Sequence, residues 1–485
     1  MLRLALLAIV LSCSLAPVPA AGAAVRPNIV LVYVDDLGYG DIGPFGSTAN
    51  RTPNLDRMAR EGVKFTSFYA APVCSVSRAQ LMTGCYGQRV SITGVFPPAS
   101  KFGINAEEHT AGELMRSAGY ATMCIGKWHL GDQPQFLPTR HGFDAYFGIP
   151  YSNDMQRTSA ATGEPVVPLL RDERVIELLD DDAQRNITQR YTDGALNFIR
   201  AHQRQPFFLY LPHTAVHVPI RPSSAFQGKS SNGAFGDWVE ELDWSVGRIL
   251  DTLGELGLDQ QTLVFFTSDN GPWLTQGANG GVAGPLRGGK GSTWEGGVRE
   301  PTLAWWPGKI APASTCDAVA VNFDLLPTFV ALAGGTPPAD RKIDGRDLSG
   351  LLLGTSTQSP REAHFFYRGY KLEAVRVGHW KLAIHPQVEN LYEKTEPVDA
   401  SKEMPRLYNL TDDIGERTNV AAEHPDVVER LLALTATMAA ELGDGKPGPE
   451  ARPAGLEAEP KLLYPSSHSD KTKKPKGRPD AKKNA

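Results

Sequence analysis

The sequence predicts an α/β fold with a large, mainly parallel sheet, and three observations carry that expectation. Four short apolar runs, each the length of a buried strand, recur along the chain. Stretches with helical spacing of apolar residues lie between them. Each apolar run stops at a cluster of polar or charged residues. Alternating strands and helices imply a sheet with helices on its faces. In open sheets of this kind, ligands gather beyond the carboxyl ends of the strands. The four polar clusters are therefore expected to meet at one edge of one sheet, far apart as they are in sequence.

The elements follow in chain order. Residues 29–34 run into Asp35 and Asp36, and residues 121–125 run into Gly126, Lys127, Trp128 and His129. Residues 207–211 lead to His213 and His217, and residues 263–267 lead to Ser268, Asp269, Asn270 and Gly271. Residues 111–119 read as a helix ending at a glycine, the usual C-terminal stop. Residues 238–253 place Val239, Leu242, Val246, Ile249 and Leu250 on one helical face. Beyond about residue 361 the style changes. Residues 372–384 hold two extended stretches around Gly378 and His379, an antiparallel hairpin signal. A helix is expected from Pro425 to Leu442.

A chain of 485 residues admits roughly three average domains, or one large α/β domain with a smaller appendage. The division expected is a leader at 1–24, a catalytic domain at 25–360, a C-terminal antiparallel-sheet subdomain at 361–442, and a disordered Pro- and Lys-rich tail at 443–485. A cationic start, a short apolar core and an Ala-rich exit make 1–24 a signal peptide. The protein is thus expected to be secreted or periplasmic, with lipid attachment at Cys13 the lesser alternative. A net charge of −5 gives no basic face for nucleic acid. No later stretch is apolar enough for stable membrane insertion. Outside the leader only Cys74, Cys85, Cys124 and Cys316 remain, too few for a disulfide framework.

Two acidic pairs carry the metal reading. Asp35, Asp36, Asp269 and Asn270 offer only oxygen ligands, and each pair directly follows a buried strand. A hard cation suits that set, calcium (Ca2+) ahead of magnesium (Mg2+). Cys74 opens a loop-to-helix segment with Arg78 one turn on. A helix start favours a thiolate. A buried small hydrophobe is the plainer reading, and a phosphatase-type loop needs a longer Cys-to-Arg spacing.

The segment from Cys74 to Gly84 resembles the Cys-x-Pro-x-Arg signature of type I, formylglycine-dependent sulfatases. Asp35–Asp41, Gly126–Gly131 and Ser268–Gly271 are similar to three further motifs of that family. His141–Asp144 and Phe147–Asp154 resemble its arylsulfatase A and N-acetylgalactosamine-6-sulfatase branch. The resemblance implies an alkaline-phosphatase-like fold and a Cys74 oxidised to formylglycine by a sulfatase-maturing enzyme. One hydroxyl of the hydrated aldehyde would attack sulfur, and the other would later expel sulfate. By matched position, Asp35, Asp36, Cys74, Asp269 and Asn270 would hold the cation. Arg78 would steady the gem-diol, and Lys127 and Lys290 would grip sulfate oxygens. His129 would act as base, His217 would assist the departing alcohol, and Ser152 would touch sulfate or nucleophile. The substrate implied is a sulfated small molecule or polysaccharide, read at loops 156–174 and 272–286.

One departure matters. The family carries Pro, or less often Ala, where this chain has Val76. Valine suits the extended peptide that a maturing enzyme reads. Two alternatives remain at this point: a phosphoester or phosphonate hydrolase of the same superfamily, or a weakly active binder of sulfated glycans if Cys74 stays unmodified.

Overall fold

The computed structural model describes residues 26–393 and 404–466. The leader with Cys13 and the basic end at 467–485 lie outside the described residues. Among the described residues, no helix is long and apolar enough to cross a membrane.

An eleven-stranded sheet forms the centre. The strands Thr262–Ser268, Asn28–Val34, Phe207–Pro212 and Ala121–Ile125 lie side by side in that order, all parallel. These are the four apolar runs, and all their carboxyl ends share one edge. Their unbroken apolar character has a packing cause. Ile29, Leu31 and Tyr33 face the helices Cys74–Thr83, Ala111–Ser117 and Leu325–Leu332. Val30, Val32 and Val34 face Pro53–Glu61, Ile187–Ala201 and Gly233–Glu255. A strand covered on both faces has no solvent side, so polar residues never alternate in.

Antiparallel strands extend both flanks and make the sheet mixed. Thr302–Trp305 pairs antiparallel with Thr262–Ser268, and Pro165–Arg171 pairs antiparallel with Ala145–Gly148. A separate four-stranded antiparallel sheet comprises His364–Arg368, Lys371–Val377, Trp380–Ala383 and Arg406–Asn409. The helix Pro425–Leu442 packs on it through Leu431, Met438 and Leu442. Hairpin and helix stand where the sequence pattern puts them. Buried Glu295 ties the two parts together, accepting from Tyr69 Oη at 2.6 Å and from Lys381 Nζ at 2.9 Å.

Two expectations need correction. The stretch from Gly443, expected to be disordered, is ordered at least to Ser466. Gly455–Leu456 pairs with Phe102–Gly103, Arg452 binds Glu108, and buried Tyr464 donates to Val166 O at 2.8 Å. A few anchors of backbone pairing and one aromatic hold a segment whose average composition argues for disorder. The loop 156–174 contains two strands, Arg157–Thr158 and Pro165–Arg171, on the far flank of the sheet. Among the described residues no disulfide forms, and Cys74, Cys85, Cys124 and Cys316 are all free thiols.

Candidate active site

The shared sheet edge gathers every residue singled out from the sequence. Asp35 and Asp36 leave Asn28–Val34, Lys127 and His129 leave Ala121–Ile125, His217 follows Phe207–Pro212, and Asp269 and Asn270 leave Thr262–Ser268. Gly126 makes one of these exits possible. Its φ is +135°, and a Cβ there would stand 1.8 Å from Pro212 O, so only glycine lets the chain turn so close to the next strand. Asp36 and His129, each just past a strand, adopt φ of 59° and 60°. Left-handed backbone at non-glycine residues is uncommon and clusters where function demands it.

The floor is a buried lattice of opposite charges. Arg78 donates to Asp269 Oδ2 from Nη2 at 2.8 Å and from Nε at 3.2 Å, and its Nη2 stands 3.5 Å from Asp35. Lys127 pairs with Asp35 and donates to Ser152 Oγ at 3.2 Å. Lys290 donates to Asp36 Oδ1 at 2.6 Å and Oδ2 at 2.9 Å. Asn270 Nδ2 donates to Asp36 Oδ1 at 2.7 Å. Burial alone would raise the Asp35 carboxyl, but Lys127, His217 and Arg78 outweigh it and hold the group well below the usual range. Burial, and then the Asp35 charge, push Asp269 upward. Three carboxylates thus balance Arg78, Lys127 and Lys290, the arrangement that makes so many buried charges tolerable.

Cys74 sits at the first turn of the helix Cys74–Thr83, with Sγ 3.7 Å from Asp35 Oδ1. The helix start favours a thiolate, but burial opposes it. Burial pushes the thiol up to about 12, and Lys127 and Lys290 only partly offset it. A thiol held protonated is a poor nucleophile. Val76, the departure from the family signature, is buried and lines the same cavity.

The donor set fits a hard cation. Asp35, Asp36, Cys74 and His217 each present a ligand atom within 4.8 Å of one another. Asn270 Oδ1 is buried with no hydrogen-bond partner, an orphaned acceptor aimed for a cation. Asp269 is not in the 4.8 Å group; Arg78 pairs with its Oδ2, and its Oδ1 accepts from Asp36 N at 3.3 Å. His217 enters the group in its place. Its ring stands with Nε2 3.6 Å from Asp36 Oδ2, whereas His213 turns away to Ser245 Oγ at 3.3 Å. The sequence preferred His217 by matched position, and the hydrogen bonds of the two rings differ accordingly.

Above the floor opens a cavity of about 350 Å3. Cys74, His129, Ser152, His217 and Lys290 line its base. The second sheet and its loops supply one wall, through Tyr367, Arg368, Asn390 and Tyr392. Gly291 lets that wall approach. Its φ is +87°, and a Cβ would lie 2.6 Å from Leu391 Cα. Of the loop 272–286, Trp273 alone among the described residues reaches the cavity. Sequence reasoning assigned no role to Trp273, Arg368 or Tyr392, because nothing in their local pattern marks them.

Comparison with known proteins agrees with this geometry. Residues 27–335 match the family described as Sulfatase, and residues 359–452 match the C-terminal region of aryl-sulfatase. The chain is 42% identical over 457 residues to arylsulfatase A of Homo sapiens, covering 86% of this chain and 88% of the relative. It is 40% identical over 457 residues to N-acetylgalactosamine-6-sulfatase of Mus musculus, covering 87% of each. Among solved structures, the PsFucS1 sulfatase of Pseudoalteromonas sp. superposes with a TM-score of 0.78 at 27% identity, covering 86% of this chain and 90% of that one. The phosphonate monoester hydrolase of Agrobacterium radiobacter, 20% identical with a TM-score of 0.59 over 85% of this chain and 96% of its own, shares the fold alone. The phosphoester alternative is therefore not favoured. A family match over most of the chain, with relatives near 40% identity along nearly their whole length, places this protein in the sulfatase family, a hydrolase of sulfate esters.

Proposed function

We propose that this sulfatase cleaves sulfate monoesters of carbohydrate or aryl alcohols, using a formylglycine made from Cys74 beside a divalent cation, calcium in preference to magnesium. One observation supports this above the others: Cys74 lies at the base of the cavity, 3.7 Å from Asp35, as a thiol that burial keeps protonated. A cysteine so placed serves catalysis better as the precursor of another nucleophile. Asp35, Asp36, Cys74 and Asn270 would hold the cation, with Asp269 braced behind them by Arg78. A bound cation would supply Lewis acidity and lower the pKa of the nucleophile.

The chain's own residues supply the rest. Lys127 and Lys290 bring positive charge to the floor, where the sulfate oxygens gather charge as the ester bond breaks. Arg78, one helical turn from Cys74, steadies the gem-diol. His129 Nε2 faces Phe96 O at 3.1 Å, so Nε2 carries the hydrogen and Nδ1 is the basic atom. That Nδ1 is buried without a partner, and burial holds the ring neutral, ready to accept a proton from the second hydroxyl. His217 Nδ1 faces Val218 O at 2.5 Å, which leaves Nε2 to meet the departing alcohol. Ser152, between Lys127 and His217, orients both.

The partners proposed are a sulfated small molecule or polysaccharide and a sulfatase-maturing enzyme. Export is proposed from the leader at 1–24. The test is mass spectrometry of the tryptic peptide 65–78 from protein made with its native maturation system, beside sulfate release from 4-nitrophenyl sulfate. An aldehyde at Cys74 that rises in step with turnover is expected. Full turnover from protein carrying only the thiol would refute the formylglycine route.

A further inference from the structure

Away from the active site, a second pocket of about 490 Å3 opens where the catalytic part meets the C-terminal sheet. It shares no lining residue with the first. Arg299 of the catalytic part and Arg361 and Arg376 of the C-terminal part line it, each side chain more than nine-tenths buried. Other groups fix each guanidinium in place. Arg299 donates from Nε to Thr66 O and from Nη1 to Glu295 Oε2 at 3.1 Å. Arg376 donates from Nε to Gly378 O at 2.8 Å, from Nη1 to Tyr69 Oη, and from Nη2 to Ser67 Oγ at 3.3 Å. Arg361 gives Nε and Nη2 to Asp324, so its Nη1 has no partner among the described residues. Each guanidinium also lies over an aromatic ring. Arg299 stands 5.7 Å from the Tyr39 centroid, Arg361 4.8 Å from Phe323 and Arg376 5.3 Å from Tyr69.

Buried cations normally stand beside matching acids. Here one carboxylate is shared. Lys381 at 2.9 Å, Arg299 at 3.1 Å and Arg376 at 3.7 Å all approach Glu295. Lys381 also pairs with Glu416, and Asp324 answers Arg361. Four buried cations therefore meet three buried carboxylates. Asp317 and Glu362 also line the pocket, but both are exposed, where solvent weakens their reach. The buried wall thus keeps one positive charge in surplus beside an open volume. Planar guanidinium forks match the oxygens of sulfate and phosphate, a fit that adds both energy and specificity. We propose that this pocket is a second oxyanion site, holding sulfate or phosphate either free or as the head group of an ester. The bound anion bridges Arg299 to Arg361 and Arg376, and so strengthens the junction between the two parts.

The test is calorimetric titration of the full chain with inorganic sulfate, inorganic phosphate and methyl sulfate, at an ionic strength held constant with chloride. Thr357 and Thr411 are exposed and line the pocket, so Thr357→Glu and Thr411→Glu add repulsion without breaking a buried pair. Each variant is expected to weaken binding at this site by at least about tenfold, as like charges brought together do. The inhibition constant of sulfate against 4-nitrophenyl sulfate turnover should move by less than about twofold, because distant sites act independently. Thr357→Gln, alike in size but neutral, should keep the parent affinity. Tighter binding of inorganic sulfate or phosphate would identify the free ion as the occupant, and tighter binding of methyl sulfate would identify an ester. No anion bound beyond the active site would overturn the proposal. So would equal losses in Thr357→Glu and Thr357→Gln, or an inhibition constant that worsens in step with the calorimetric affinity.

Discussion

The floor and the mouth of the cavity are built by opposite means. Most floor residues leave four adjacent parallel strands, with Cys74 and Arg78 set beside them on a helix, and Asp35, Lys127, Arg78 and Asp269 are fully buried and mutually paired. Mouth residues come from a loop at Trp273 and from the C-terminal part at Arg368 and Tyr392, and they are partly or largely exposed. Buried paired charges punish any change, because each loss strands its partner away from water. An exposed ring can be altered with little cost to the fold. The reaction therefore belongs to the rigid edge of the sheet, and discrimination among alcohols belongs to the surface that packs over it.

The largest effect is expected at the nucleophile: Cys74→Ala should lower sulfate release from 4-nitrophenyl sulfate by more than about 10,000-fold. A residual rate near that of the parent would remove the floor from the chemistry. Asp269→Ala leaves the Arg78 guanidinium buried opposite empty space, and a loss of about 3–5 kcal/mol is expected in urea unfolding. Asp269→Asn, which keeps an acceptor for Arg78, should lose distinctly less. Equal losses would mean that the pair does not hold the floor together.

Lys290→Ala should lower kcat by roughly 100- to 1,000-fold, the usual scale for one group that stabilises developing charge. A change confined to KM would instead make Lys290 a binding residue. Stripping the divalent ion with a chelator should abolish turnover. Readdition of calcium in hundredfold excess over its Kd should raise stability by about 2.7 kcal/mol, with magnesium less effective. A metal-free protein of unchanged melting temperature and activity would contradict the site. At the mouth, Tyr392→Ala should alter stability by under about 0.5 kcal/mol, as surface changes generally do. A larger loss would show that the mouth is part of the core.

Legibility in the sequence followed the same division. Residues 29–34 could be read as a strand because cores on both faces demand unbroken apolar side chains. Asp35 and Asp36 stood out because nothing else at a buried strand end would be acidic. The helix Pro425–Leu442 and the hairpin before it announced themselves by period and by Gly378. Trp273 and Tyr392 gave no such signal, since a single aromatic in a loop has no pattern to join. The order of 443–466 was also invisible, because a few distant anchors such as Tyr464 with Val166 are not a property of the segment itself. The protonated state of Cys74 was hidden in the sequence for a related reason. The dipole of its helix can be inferred locally, whereas its desolvation depends on everything packed around it.

Residue types at the end of each central strand are legible in the chain alone, and with them the chemistry that the sheet edge can host. Local period, apolar run length and the motif from Cys74 onward are short-range properties, and short-range physics reads them. That Arg78 braces Asp269 and that the C-terminal part walls the cavity are outcomes of tertiary packing. Those outcomes are distances between residues remote in the chain, and they come from packing two cores and a second sheet against one edge.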